Sequence, residues 1–264
     1  MSHISLSLEK SNKVMLVDSH CHIHDRGCFE LSPEEALAHA HANGVDKCIV
    51  IGTDPQDSIA ARDFALRHEE VWWTFGYHPN DYDGNRAKLE ADLKDAKANV
   101  LTGEKLVAIG EIGLDYHFDG YNRDWQAYLL ENMLQIAQDM QLPVSFHIRD
   151  AFDDFWPIFE NFHLPTSVLH SYSDNEENLK KGLEKGLFFG VNGLSTFAKI
   201  PHPPLERIIL ETDAPFLTPK PFRGTINKPG YVKNIADWAT EYYHVAFDQV
   251  AAITTANVEK LFKI

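Results

Sequence analysis

Eight short apolar, β-rich runs recur along the chain: Val14–Val17, Lys47–Ile51, Val71–Phe75, Leu106–Ile109, Pro143–Phe146, Ser167–Leu169, Leu187–Val191 and Arg207–Leu210. Most of the segments between them carry helix signals. Ser32-Pro33-Glu34-Glu35 combines an N-cap, a proline at the first helical position and an acidic first turn. Pro55–Arg67 has apolar residues at helical spacing, and Arg123–Met140 puts Trp125, Leu129, Met133, Ile136 and Ala137 on one face. Asp174–Lys185, Val232–Tyr243 and Asp248–Phe262 behave alike. Near-continuous apolar strands are those of a parallel sheet covered on both faces. Eight of them alternating with helices predict an α/β chain folded as a single closed (β/α)8 (TIM) barrel over residues 14–264. An open doubly wound sheet is the alternative, but no Gly-x-Gly-x-x-Gly or Gly-x-x-x-x-Gly-Lys loop follows the first strand. Residues 1–13 are polar and mixed, without the apolar centre of a signal peptide, and are expected to form an extension outside the fold.

Composition narrows the function classes. The 264 residues are 44% apolar and 24% charged, enough for a sizeable core. No run approaches the roughly 20 apolar residues of a membrane helix. Three cysteines, Cys21, Cys28 and Cys48, build no disulfide framework, so a reducing cytoplasm is expected. With 24 basic and 39 acidic side chains, the net charge of −15 argues against binding nucleic acid through a broad basic surface.

In such a barrel the chemistry sits at the C-terminal strand ends. Strand one ends in Asp18-Ser19-His20-Cys21-His22, where alternation sends His20 and His22 to the same face. Strand three ends in Gly76-Tyr77-His78-Pro79, strand four in Gly110-Glu111-Ile112-Gly113-Leu114-Asp115, and strand five in His147-Ile148-Arg149-Asp150. Strand six ends in His170-Ser171-Tyr172 and strand eight in Glu211-Thr212-Asp213-Ala214-Pro215. Any one of these histidines or carboxylates could be a core group or a helix cap. Together they would desolvate several polar groups at one mouth, which is costly without a cation and natural with two divalent ions.

These motifs, in this order from about Val14 to the C-terminus, resemble the TatD-like metal-dependent deoxyribonucleases, a branch of the amidohydrolase-type barrels. The resemblance implies that His20, His22 and Asp213 hold one metal, that His147 and His170 hold a second, and that Glu111 bridges them. It implies substrate-facing roles near a phosphate for His78 and Arg149, and support from the rim for Asp115. Arg223-Gly224 resembles a subgroup with Arg-Gly upstream of Asn-x-Pro, which makes Arg223 a further substrate-binding candidate. Two departures stand out: Lys228 occupies an often acidic position, and Ser173-Asp174-Asn175 replaces a glycine-rich turn. Manganese or magnesium is implied by the resemblance, while the imidazole-rich set also suits zinc or nickel.

Asp213 is the candidate general base and Glu111 the metal-spacing carboxylate. Arg149 could instead pair with Asp150 or Asp153. The acidic chain is expected to take single-stranded DNA or strand ends rather than long duplex, with Tyr116 and Phe222 as stacking candidates and Trp72 and Trp73 as barrel packing. A monomer without an obligate protein partner is the simplest expectation. The competing readings are an amidohydrolase acting on another ester or amide, and a non-catalytic nucleic-acid-binding or scaffold protein. Glu111 stands where many such amidohydrolases bridge their metals through a modified lysine, which favours the nuclease branch.

Overall fold

The computed structural model describes residues 15–25, 30–80 and 84–264. The extension expected at 1–13, the first residue of the Val14 run and Cys28 lie outside them. Among the described residues there are eight strands and eight α-helices. In chain order they are β1 (Leu16–Cys21), α1 (Pro33–Ala42), β2 (Val45–Val50), α2 (Pro55–Ala65), β3 (Val71–Phe75), α3 (Arg86–Asn99), β4 (Leu106–Asp115), α4 (Arg123–Met140), β5 (Val144–Arg149), α5 (Phe152–Phe159), β6 (Val168–Leu169), α6 (Glu176–Glu184), β7 (Phe188–Val191), β8 (Ile208–Leu210), α7 (Val232–Tyr243) and α8 (Phe247–Phe262). The strands form one parallel sheet in sequence order, the (β/α)8 barrel the apolar runs predict.

Local chemistry accounts for the helix ends. Glu35 N–H donates to Ser32 Oγ and Ser32 N–H donates to Glu35 Oε2, a reciprocal cap on α1. Asn175, in the polar segment that replaces a glycine-rich turn, caps α6 by accepting from Asn178 N–H. Two helices carry no clear sequence signal: α3 buries only Leu89, Leu93 and Ala96, and α5 is short and contains Pro157. Between β7 and β8 the chain makes short 3-10 turns rather than an α-helix.

Inside the barrel, Val17, Ile49, Val168, Phe188 and Ile209 form a core with Val258, Leu261 and Phe262 of α8. That helix covers the N-terminal end of the barrel, where Thr255 Oγ1 donates to the Met15 carbonyl and Asn257 Nδ2 to the Ile208 carbonyl. No described helix is long and apolar enough to cross a membrane.

The barrel closes along a seam between β8 and β1. Asp213 N–H donates to the His20 carbonyl (2.8 Å), and His22 N–H donates to the Ala214 carbonyl (2.8 Å). The buried Asp18 carboxylate accepts from Thr212 N–H (2.8 Å) and from Thr212 Oγ1 (2.5 Å), while Ser19 Oγ donates to the Leu210 carbonyl. Burial raises the Asp18 carboxyl to about 7 even against the Thr212 hydrogen bonds.

Candidate metal centre

The seam places His20 and His22 opposite Asp213. The pairing of β1 with β2 slips between Asp18 and Cys21. Simple alternation from the inward-facing Val17 would send His20 and His22 outward, so the slip re-aims both imidazoles into the mouth. Asp213 itself adopts a left-handed backbone, φ 56°. Asn227, fully buried, donates to the carbonyls of Thr212 and Phe216 and fixes the loop that carries it.

β4 and β5 run longer than the apolar pattern predicts, through Asp115 and Arg149, so Glu111 and His147 sit within strands. Gly113 permits this pairing: a Cβ there would lie 1.8 Å from the His147 carbonyl oxygen.

The structure brings six expected ligands together. Glu111 Oε2 lies 3.4 Å from His20 Nε2 and 4.0 Å from His22 Nε2. Its other oxygen, Oε1, lies 2.6 Å from His147 Nδ1 and 3.7 Å from His170 Nε2. Asp213 Oδ1 is 3.6 Å from His20 Nε2, 3.4 Å from His22 Nε2 and 4.0 Å from His170 Nε2. His78 comes closer than a purely substrate-facing residue needs, 3.8 Å from Glu111 Oε1, and forms a donor triplet with Glu111 and His147.

Surrounding groups orient these rings. His22 Nδ1 meets the Ile51 carbonyl at 3.2 Å, which leaves Nε2 as the free donor atom. Asp115, buried, accepts from His147 Nε2 (3.1 Å) and from Asn80 Nδ2 (3.0 Å). Glu211 lies 2.9 Å from His170 Nδ1 and also accepts from Ser171 N–H and Asn192 Nδ2. Sequence reasoning missed Glu211, although alternation in Glu211-Thr212-Asp213 was a signal for it. Gly190 leaves it room, since a Cβ there would lie 2.2 Å from its carboxylate.

The electrostatics fit cations. Burial alone would raise Glu111, but the hydrogen bond with His147 and the neighbouring imidazoles of His20 and His170 hold it well below the usual carboxylate range. Burial also opposes charge on His147 and His170. Asp115 and Glu111 nevertheless push His147 up to about 9, and the Glu211 carboxylate pushes His170 up to about 10. His20 is 1% exposed, and neither of its ring nitrogens has a hydrogen-bond partner. A buried imidazole with a bare Nε2 facing two carboxylates is a donor that a divalent cation satisfies.

Above this cluster opens a pocket of about 430 Å³, lined also by Asp115, Phe118, Arg149 and Phe216. Arg149 has no carboxylate partner among the described residues, and Asp150 pairs instead with His117 (2.9 Å). Two of the substrate-binding candidates make other contacts in this structure. Tyr116 donates its hydroxyl to Asp154 (2.8 Å) and stacks on Tyr121, outside the pocket lining. Arg223 lies over the Phe197 ring at 3.8 Å and donates to the Thr218 carbonyl, also away from the pocket. Phe222 stacks on Tyr231, and Trp73 is core. Phe118 and Phe216 take the aromatic positions at the mouth instead.

Relatives carry the same architecture. The chain is 32% identical over 259 residues to the metal-dependent hydrolase YabD of Bacillus subtilis, covering 95% of this chain and 100% of that protein. It is 32% identical over 250 residues to the 3'-5' ssDNA/RNA exonuclease TatD of Citrobacter rodentium, covering 89% and 94%. The crystal structure of YJJV, a TatD homologue from Escherichia coli K12, superposes with a TM-score of 0.85 at 27% identity, covering 94% of this chain and 98% of that one. The profile of the TatD-related DNase family matches residues 17–263, and this chain, a metal-dependent hydrolase, belongs to that family.

Proposed function

We propose that this hydrolase removes nucleotides from the ends of single-stranded DNA in the cytoplasm, as a monomer, with two divalent cations at the open mouth of the barrel. The observation that carries the reading is Glu111, whose two oxygens face separate imidazole groups, His20 and His22 on one side and His147 and His170 on the other. In this reading His20, His22 and Asp213 would hold one cation and His147 and His170 the other, with Glu111 available to both. Magnesium, manganese, zinc and nickel all suit such a mixed donor set. The name of the Citrobacter relative supports single strands as substrate and adds RNA as a second polymer. The charge of −15 points the same way, against long duplex.

Bound divalent cations supply positive charge for the phosphate oxygens and make water more acidic. The chain's own groups do the rest. Burial works against ionisation of Asp213, but the neighbouring imidazoles of His22, His170 and His20 keep its carboxyl below the usual range. Its Oδ1 is therefore ionised and positioned to accept a proton from the attacking water. Burial lowers His78 to about 4, so it stays neutral and hydrogen-bonds a phosphate without adding charge. Arg149 presents its planar fork at the pocket wall. Asp115 holds the His147 ring against Glu111.

Incubation of labelled single strands with manganese or magnesium is expected to release mononucleotides, and EDTA to stop it. Asp213→Asn lowers kcat by ~100-fold or more while leaving the circular dichroism and melting curve in place. Wild-type turnover in that variant with metal present overturns the assignment. Faster hydrolysis of a carboxylic ester or amide than of any oligonucleotide overturns the substrate class.

A further inference from the structure

Seven large apolar side chains are exposed among the described residues, and four of them, Phe118, Tyr121, Phe216 and Phe222, sit on the loops after β4 and β8 that rim the open mouth. Phe222 is already stacked on Tyr231. Phe118 is 57% exposed and Phe216 54%, and both line the metal pocket. A second cavity, of about 460 Å³, adjoins the first, and Phe118 and Asn80 belong to the walls of both. Tyr121 and the Asp119-Gly120 turn line its far side. The Arg149 guanidinium lies 5.3 Å from the centre of the Phe118 ring, with no carboxylate neutralising it among the described residues.

Two cavities that share an exposed aromatic ring, with a guanidinium over that ring, match two successive nucleotides of a single strand. A base in each cavity packs against the Phe118 ring, and the Arg149 guanidinium, which lies over the ring in the free protein, shifts onto the phosphate between them. Stacking also suits the charge balance. A chain of −15 gains little from general attraction to a polyanion, so affinity has to come from base faces and a few local contacts. Asn80, tied to Asp115 through Nδ2, links the wall of the second cavity to the residue that holds His147.

We propose that the cavity bounded by Phe118, Asn80 and Tyr121 is a second nucleotide subsite, with the Phe118 ring wedged between the base in the metal pocket and the base next to it. This rests on the nuclease reading above. The exposed position of Phe118 lets it be changed without touching the core or the metal donors.

The test uses the metal-loaded protein and short single strands carrying 2-aminopurine at the end nucleotide or at its neighbour. Stopped-flow fluorescence records stacking before cleavage, and anisotropy of a dye at the far end records binding. The wild type is expected to quench the probe at both positions. Phe118→Ala is expected to lose the quench at the neighbouring position and to bind ~10-fold more weakly, while Phe118→Trp retains both. Quench at the neighbouring position that is unchanged in Phe118→Ala, with binding and cleavage intact, overturns the second subsite and leaves the nuclease reading standing. Absence of binding and cleavage for every strand overturns the nuclease reading, and the subsite with it.

Discussion

Glu211→Gln isolates how a buried carboxylate tunes the metal centre. Glu211 is 1% exposed and lies 2.9 Å from His170 Nδ1, on the side of the ring away from Glu111. Its charge favours a proton on Nδ1 and turns Nε2 toward the metal donors. Glutamine keeps the volume that Gly190 makes room for, and its carbonyl still accepts from Ser171 N–H and Asn192 Nδ2. Alanine would orphan both donors at ~1–3 kcal/mol each and confound metal loss with unfolding. What glutamine removes is the charge behind His170. Partners of this kind are worth about 10–100-fold in metal affinity, roughly 1.4–2.7 kcal/mol. Chelator competition at fixed pH, with manganese or zinc, reads that loss directly, and a melting curve checks that the barrel is intact. An affinity within about twofold of wild type would refute the role of the charge and leave Glu211 as a neutral acceptor beside His170, Ser171 and Asn192.

Two further outcomes follow from other sites. Thr212→Val strands Asp18 Oδ2 and the Ala214 N–H in a buried seam, so urea unfolding should show a loss of ~2–5 kcal/mol, restored by Thr212→Ser. A loss below ~0.5 kcal/mol would mean that the seam does not depend on the hydroxyl. His202 is lowered to about 4 by burial against Trp238 and Tyr242. The unfolded chain therefore takes up its proton first, near pH 6.5, and stability falls as the pH drops from there toward 4. His202 remains part-exposed, so His202→Phe should remove only ~1 kcal/mol of that acid sensitivity. An unchanged slope of stability against pH between 6.5 and 4 in the variant would refute it.

The fold and the inner site were largely readable from residue patterns, for physical reasons that particular positions make plain. Buried parallel strands leave continuous apolar runs, and helices that bury a wide face, as α4 does with Leu129 and Met133, leave a clear period. Helix α3 buries three small contacts and leaves almost none. His20, His22, Glu111, His147, His170 and Asp213 were legible because each stands shortly after an apolar run. The aromatic rim was not. Whether Tyr116 faces the pocket or Asp154 depends on a partner 38 residues away, and whether Arg223 reaches substrate depends on the Phe197 ring. Glu211 was legible in principle, since the alternation that pairs His20 with His22 also pairs it with Asp213. The slip between Asp18 and Cys21, by contrast, has no local signature; it begins at Asp18, which is held by Thr212, 194 positions away.

The β1–β8 seam also sets an order of events during biosynthesis. His20 and His22 emerge from the ribosome early, yet the backbone that holds them, at Asp213 and Ala214, is made some 190 residues later. A growing chain can therefore offer only scattered, weakly chelating imidazoles. A site of the proposed kind is complete only once translation has passed the eighth strand.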